Sequence, residues 1–224
     1  MTASRPLLVL SAAASLIFLL ANTLTAGDWP VVFKVASIGI LAVLAIPVDM
    51  LLATALAFGA LGDFFLGVRR IGTLDAEKLF LFGLGSFLLG HLVYIAMFRR
   101  YRPGSESRMP TPSARTVRWL AIAAVLVALV WVLGELRGSL GPLLIPVVSY
   151  AAALAGMAIS AQFAEFGTPL VTIGALSFVA SDAMLAISKF RGPFAGSGPL
   201  IWITYYLAQL LIFLGVARRS RRIS

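Results

Sequence analysis

The chain has 224 residues, 60% of them hydrophobic and 12% charged, with a net charge of +9, one His and no Cys. A soluble domain carries about 25% charged residues, so a soluble fold is excluded, as are disulfides, thiolate metal sites and any zinc site built on several imidazoles. The positive charge does not signal nucleic acid, because the Arg residues sit between apolar runs and near the C-terminal end, where they read as topology signals and contacts to anionic lipid.

A spanning helix needs about 20 mostly apolar residues. The pattern predicts eight such segments, at 7–25, 30–46, 49–67, 78–98, 117–134, 141–161, 168–189 and 199–217, and hence an all-α bundle forming a single integral membrane domain over 1–224. Arg5 ahead of the first segment and small residues behind it resemble a signal peptide, but the apolar stretch is longer than a signal core and reads as a retained span. The second segment is short, and only Pro47 and Val48 link it to the third, which predicts a helical hairpin. The third carries Asp63 in LGDFFLG, where Gly59, Gly62 and Gly67 leave room for a neighbouring backbone or a lipid chain.

In the fourth segment Gly83, Phe87, His91, Tyr94 and Phe98 recur at helical spacing and form one stripe. Residues 99–116, rich in Arg, Pro and Ser, are the one real loop and are expected to be mobile. The seventh segment holds Asp182 inside the apolar run 174–190. In the eighth, Gln209 lies four residues from Tyr205 and three from Tyr206, so it can share a face with either. No convincing repeat relates the two halves.

Lys and Arg set the orientation. With the N-terminus in the cytoplasm, eleven basic residues fall on the cytoplasmic side and six outside, so both termini are predicted cytoplasmic. In a bacterium the membrane would then be the inner one. At 1.5 Å per residue, Asp63 and Asp182 each lie about 9 Å inside the outer edge of a core about 30 Å thick. Lys34 and Tyr205 reach about the same level, and His91 lies about 20 Å from that edge.

A carboxylate at such depth is costly and marks a functional site by default. Each residue also has a plainer explanation. An intramembrane Asp can simply hydrogen-bond helices together or pair with Lys34, and Lys34 can snorkel to the interface. His91 and Tyr94 can be a packing pair, and Tyr205 and Tyr206 fit an aromatic belt. Asp49, Asp75 and Glu135 lie in or beside loops, where solvation explains them.

The ordered series of these residues resembles the YhhN-like lysoplasmalogenases. It comprises Lys34, GDFFLG with Asp63, GLGSFLLGHLVY with His91 and Tyr94, YAAALAGM with Tyr150 and Met157, SDAMLAISKF with Asp182, and YYLAQLLI with Tyr205, Tyr206 and Gln209. It covers about residues 30–215. One departure is Val35, where family members often carry Pro after the Lys. The resemblance implies eight spans and an ether hydrolase that converts lysoplasmalogens to a fatty aldehyde and a glycerophospho-alcohol. It implies no metal or organic cofactor; the partners are a lysophospholipid substrate and membrane lipid, with no obligate protein partner evident.

A vinyl ether can be protonated on carbon to give an oxocarbenium ion, which water captures. That chemistry asks for an acid, a negative group near the cation and a route for water, much as glycoside hydrolysis uses two carboxyl groups. Asp63 and Asp182 are the candidate pair, one kept as the acid by apolar surroundings and the other ionised, through Lys34 for example. Tyr205, Tyr206 and Gln209 would orient water or headgroup, and His91 would relay protons or hold the glycerol phosphate. The lipid chain would lie between spans lined by Phe and Leu. The alternatives are a hydrolase of another lysolipid, a small proton-coupled transporter and a purely structural role.

Overall fold

The computed structural model describes residues 4–24, 27–68, 71–103 and 111–223. Among them are eight α-helices and no strand: α1 (Ser4–Leu24), α2 (Val31–Ala45), α3 (Met50–Gly67), α4 (Ala76–Arg100), α5 (Pro112–Leu136), α6 (Leu144–Gln162), α7 (Leu170–Arg191) and α8 (Ser197–Ile223). Seven are long and apolar enough to cross a membrane, and the protein is an integral membrane protein. The shorter α2, with 15 residues, spans about 22 Å.

Each predicted segment corresponds to a helix with ends within three residues of those predicted, except that α5 starts five residues early and α8 ends six residues late. The chain remains helical through Arg100, resumes helix at Pro112 and continues in α8 to Ile223. The expected loop at 99–116 is therefore shorter than its composition suggests, and residues 104–110, on which the expectation of mobility mainly falls, lie outside the described residues. The physical reason is local. Thr111 caps α5 by accepting from the Ala114 N–H at 3.3 Å, and Pro112 sits in the first turn, where its missing N–H costs nothing. Arg is a good helix former, and basic residues suit a helix C-terminus, so α4 and α8 carry their Arg residues without breaking.

Two compact units divide the chain, Met1–Tyr94 and Ile95–Ser224. In the first, α2 and α3 form the predicted hairpin. The Val48 and Asp49 N–H groups both donate to Ala45 O at 2.9 Å. The Asp49 carboxylate then caps α3, accepting from Leu51 N at 2.7 Å and Leu52 N at 3.2 Å, so it does more than meet solvent. Ser11 on α1 donates to Ser37 O at 2.7 Å, which ties α1 to α2. A Cβ on Gly62 would fall 2.5 Å from the Phe87 ring, and one on Gly67 2.5 Å from Val31. The room left by these glycines is thus filled by the protein's own side chains. Ahead of α4, Asp75 accepts from the Lys78 N–H at 3.0 Å. That bond, reinforced by the Lys78 charge, holds its carboxyl below the ordinary carboxylate range.

In the second unit α5, α6 and α7 pack on one another and α7 packs closely on α8. A Cβ on Gly174 would lie 2.8 Å from Ala208 O, and one on Gly215 2.5 Å from Val171. Small residues allow this approach where no hydrophobic force draws helices together in lipid. Gly192, at φ +101°, ends α7 in a conformation that L side chains rarely adopt. Glu135 and Arg191, at 2.9 Å, join the C-terminal ends of α5 and α7. Arg102 and Arg118 lie over the Phe163 ring at 5.7 and 5.1 Å, and Arg219 lies over Tyr101 at 5.0 Å, each within cation–π reach.

Gly174→Val should lower stability by about 1–3 kcal/mol through overpacking against α8. Gly39→Ala, with nothing within 4 Å of the added Cβ, should be neutral or mildly stabilising. Thermal unfolding of the purified protein in detergent measures both.

Candidate functional site

The first unit brings two of the predicted residues into direct contact. Lys34 lies in the first turn of α2 and Asp63 in the last turns of α3, so the tight hairpin sets them level. Lys34 Nζ is 3.0 Å from Asp63 Oδ1, with the side chains 18% and 2% exposed. The ammonium also sits 5.8 Å from the centre of the Phe18 ring on α1. Lys34 therefore turns inward to the carboxylate instead of snorkelling to the interface. Three helices meet around this ion pair, and breaking it by removing one partner would strand a charge in an apolar setting.

The predicted stripe on α4 is present. Gly83, Phe87, His91, Tyr94 and Phe98 are all buried. His91 and Tyr94, each 1% exposed, belong to the same unit as Asp63.

The second unit contains the other carboxyl. The Tyr150 hydroxyl on α6 donates to Asp182 Oδ2 on α7, and both residues are buried. Two serines on α7 set its position against α8, with Ser177 donating to Thr204 O at 2.7 Å and Ser181 to Ile201 O at 2.9 Å. Asp182 and Tyr150 line a half-open groove between α5, α6 and α7 with a cavity volume of about 70 Å³. The other lining residues are Val, Leu and Ala; among the described residues no Phe lines it, although the sequence suggests Phe and Leu for a lipid cleft.

Tyr205 and Tyr206 are 5% and 8% exposed, so neither belongs to an aromatic belt. Tyr205 packs edge-on against Phe178 at 5.3 Å, and Trp202 stacks on Tyr206 at 6.1 Å. Gln209 Nε2 donates to the Tyr205 hydroxyl at 3.3 Å, the i, i+4 choice of the two that spacing allowed. The two aspartates lie in different units. Among the described residues no group of three His, Cys, Asp or Glu is placed to hold a metal ion.

The sequence profile of the YhhN family matches residues 29–216 and so takes in every one of these side chains except Phe18. The chain belongs to the YhhN family. Two curated relatives are named lysoplasmalogenase, one from Mycobacterium bovis (strain ATCC BAA-935 / AF2122/97) and one from Mycobacterium tuberculosis (strain CDC 1551 / Oshkosh). Each is 36% identical over 168 residues, covering 73% of this chain and 59% of the relative. The match thus spans less than two thirds of those relatives' length. No solved structure matches the chain.

Within this YhhN-family chain, Tyr150 is the residue that reasoning from burial cost passed over. A Tyr within an apolar helix reads as packing, and its partner is 32 residues away on another helix. Its only signal in the sequence is its place in the ordered series.

Lys34→Met should destabilise the first unit by about 3–5 kcal/mol, because it leaves Asp63 without its cation. The double variant Lys34→Met/Asp63→Leu should lose less than the sum of the two single variants. A double-mutant cycle on thermal unfolding in detergent measures the coupling.

Proposed function

We propose that this YhhN-family protein is a membrane-embedded hydrolase that cleaves the vinyl ether bond of a lysoplasmalogen, releasing a fatty aldehyde and a glycerophospho-alcohol. The observation that carries this reading is a pair of buried carboxyl groups with different partners, an ammonium beside Asp63 and a phenol beside Asp182. Family membership and the names of the two relatives support it.

The partners suggest how the roles divide. Asp182, in a groove with aliphatic walls, is assigned the proton donor. Its proton goes to the vinyl carbon remote from oxygen, the double bond supplies the electron pair, and an oxocarbenium ion results. Asp63, in its ion pair with Lys34, is assigned the ionised role, facing the developing positive charge or taking a proton from the attacking water. Water adds to the cation to give a hemiacetal. That intermediate returns a proton to the alkoxy oxygen and breaks its C–O bond, leaving aldehyde and alcohol. Tyr205 and Gln209, already hydrogen-bonded to each other, orient water or headgroup, with Tyr206 beside them. His91 and Tyr94 line the buried face of α4 for the polar end of the substrate. This division rests on the surroundings of each acid within its own unit.

The same proposal places both termini in the cytoplasm, all eight helices in the bilayer as one functional domain, and the protein, if bacterial, in the inner membrane. The distribution of Lys and Arg supports that arrangement.

Purified protein supplied with a vinyl-ether lysolipid, its saturated ether analogue and an ester lysolipid should release aldehyde from the first alone. Turnover of the ester alone would point to a different lysolipid hydrolase. No turnover together with substrate-driven proton flux in liposomes would point to a transporter. Asp63→Asn and Asp182→Asn should each reduce kcat/KM about 10²–10⁴-fold, the usual contribution of a general acid or base. Near-normal turnover in either folded variant removes that residue from the scheme.

The absence of Cys makes topology directly testable. A membrane-impermeant maleimide should label Ser139→Cys in spheroplasts and should label Ser220→Cys only after lysis. The reverse pattern overturns the orientation.

A further inference from the structure

We propose that the groove between α5, α6 and α7 seats the hydrocarbon chain of a single-chain ether lipid, and that Ala151, Ala183 and Ala186 set which chains fit. This inference rests on the proposed reaction and adds to it the place and the gauge for the apolar part of the substrate.

Three features of the groove carry it. Its walls are aliphatic, and its polar groups are Tyr150 and Asp182, hydrogen-bonded to each other. A polar pair set in an aliphatic wall suits an occupant that is apolar along its length and presents one reactive polar bond. The groove is also elongated. Its lining runs from Val125 to Leu133 on α5 and from Val147 to Ala155 on α6, each about 12 Å of helix. Asp182 faces the middle of that strip, through Tyr150. Finally, the concavity is made by missing side-chain volume. Ala151 is next to Tyr150, Ala183 is next to Asp182, and Ala186 is one turn further along α7. The outward face of α5 differs: Val127 and Val130 are 68% and 70% exposed, where any surrounding lipid can reach them. Burial of a chain in the groove satisfies no hydrogen bonds and needs none, so its selectivity comes from shape. A methylene that gains or loses its place in an apolar pocket changes recognition by about 10-fold or more.

The test uses the full chain in phosphatidylcholine nanodiscs. The probe is a saturated single-chain glycerol ether carrying a diazirine near the chain end, which the proposed reaction does not consume. The expected result is labelling concentrated on groove residues of α5, α6 and α7, competed by unlabelled ether, and reduced at least 10-fold by Ala183→Leu. If that variant fails to fold, Ala183→Val should give a smaller reduction in the same direction. Where wild type turns over vinyl ethers, Ala151→Leu or Ala186→Leu should raise KM for long chains about 10-fold more than it raises KM for the shortest chain. Labelling spread evenly to Val127 and Val130, indifferent to competitor and to Ala183→Leu, would overturn the proposal. Focused, competed labelling without vinyl-ether turnover would uphold the chain site and sink the hydrolase reading; turnover with unfocused labelling would do the opposite.

Discussion

A carboxylate removed from water costs several kcal/mol unless a neighbour compensates, and lipid offers none. The contact between Lys34 Nζ and Asp63 Oδ1 supplies that compensation in the first unit, and much of the local structure serves it. Only a tight connection keeps the start of α2 level with the end of α3. The two N–H groups that close on Ala45 O and the Asp49 cap make the connection tight. Val31 fills the space beside Gly67, one turn from Asp63, so the helices are close where the charges meet. Phe18 brings α1 to the same ammonium. A loose hairpin would leave both charges to find other partners in a medium with few.

The second unit meets the same constraint with a neutral donor. Asp182 takes a hydrogen bond from Tyr150. A phenol satisfies an oxygen lone pair without adding charge. The two acids therefore enter any chemistry with different characters, which is what a reaction through a short-lived cation requires.

The helices themselves were legible because lipid demands length and apolarity, and both can be read from composition. The start of α5 and the end of α8 were not. Outside the hydrocarbon the hydropathy signal is silent, while Arg at positions such as Arg100 and Arg218 continues a helix readily. Asp63 and Asp182 stood out by cost alone, and the short link at Pro47 and Val48 foretold the hairpin that pairs Asp63 with Lys34. The bond from Tyr150 to Asp182 was hidden, because it depends on which faces of α6 and α7 meet. Tyr205 and Tyr206 misled for a related reason. Nearness to a helix end suggested an interface belt, whereas Trp202 and Phe178 enclose them.

Ser177 and Ser181 have a further consequence for how α7 finds its place. In lipid an apolar helix gains little from turning one aliphatic face rather than another toward its neighbours. Each residue advances the helix by 100°, so a slip of one position would swing Asp182 away from α6 and present Ser181 or Ala183 in its stead. Two hydroxyls that reach the Thr204 and Ile201 carbonyls make one rotational setting distinguishable from the rest. They act as an alignment key: the carboxyl points where it does because two small side chains, four residues apart on the same helix, fit only one register of α8.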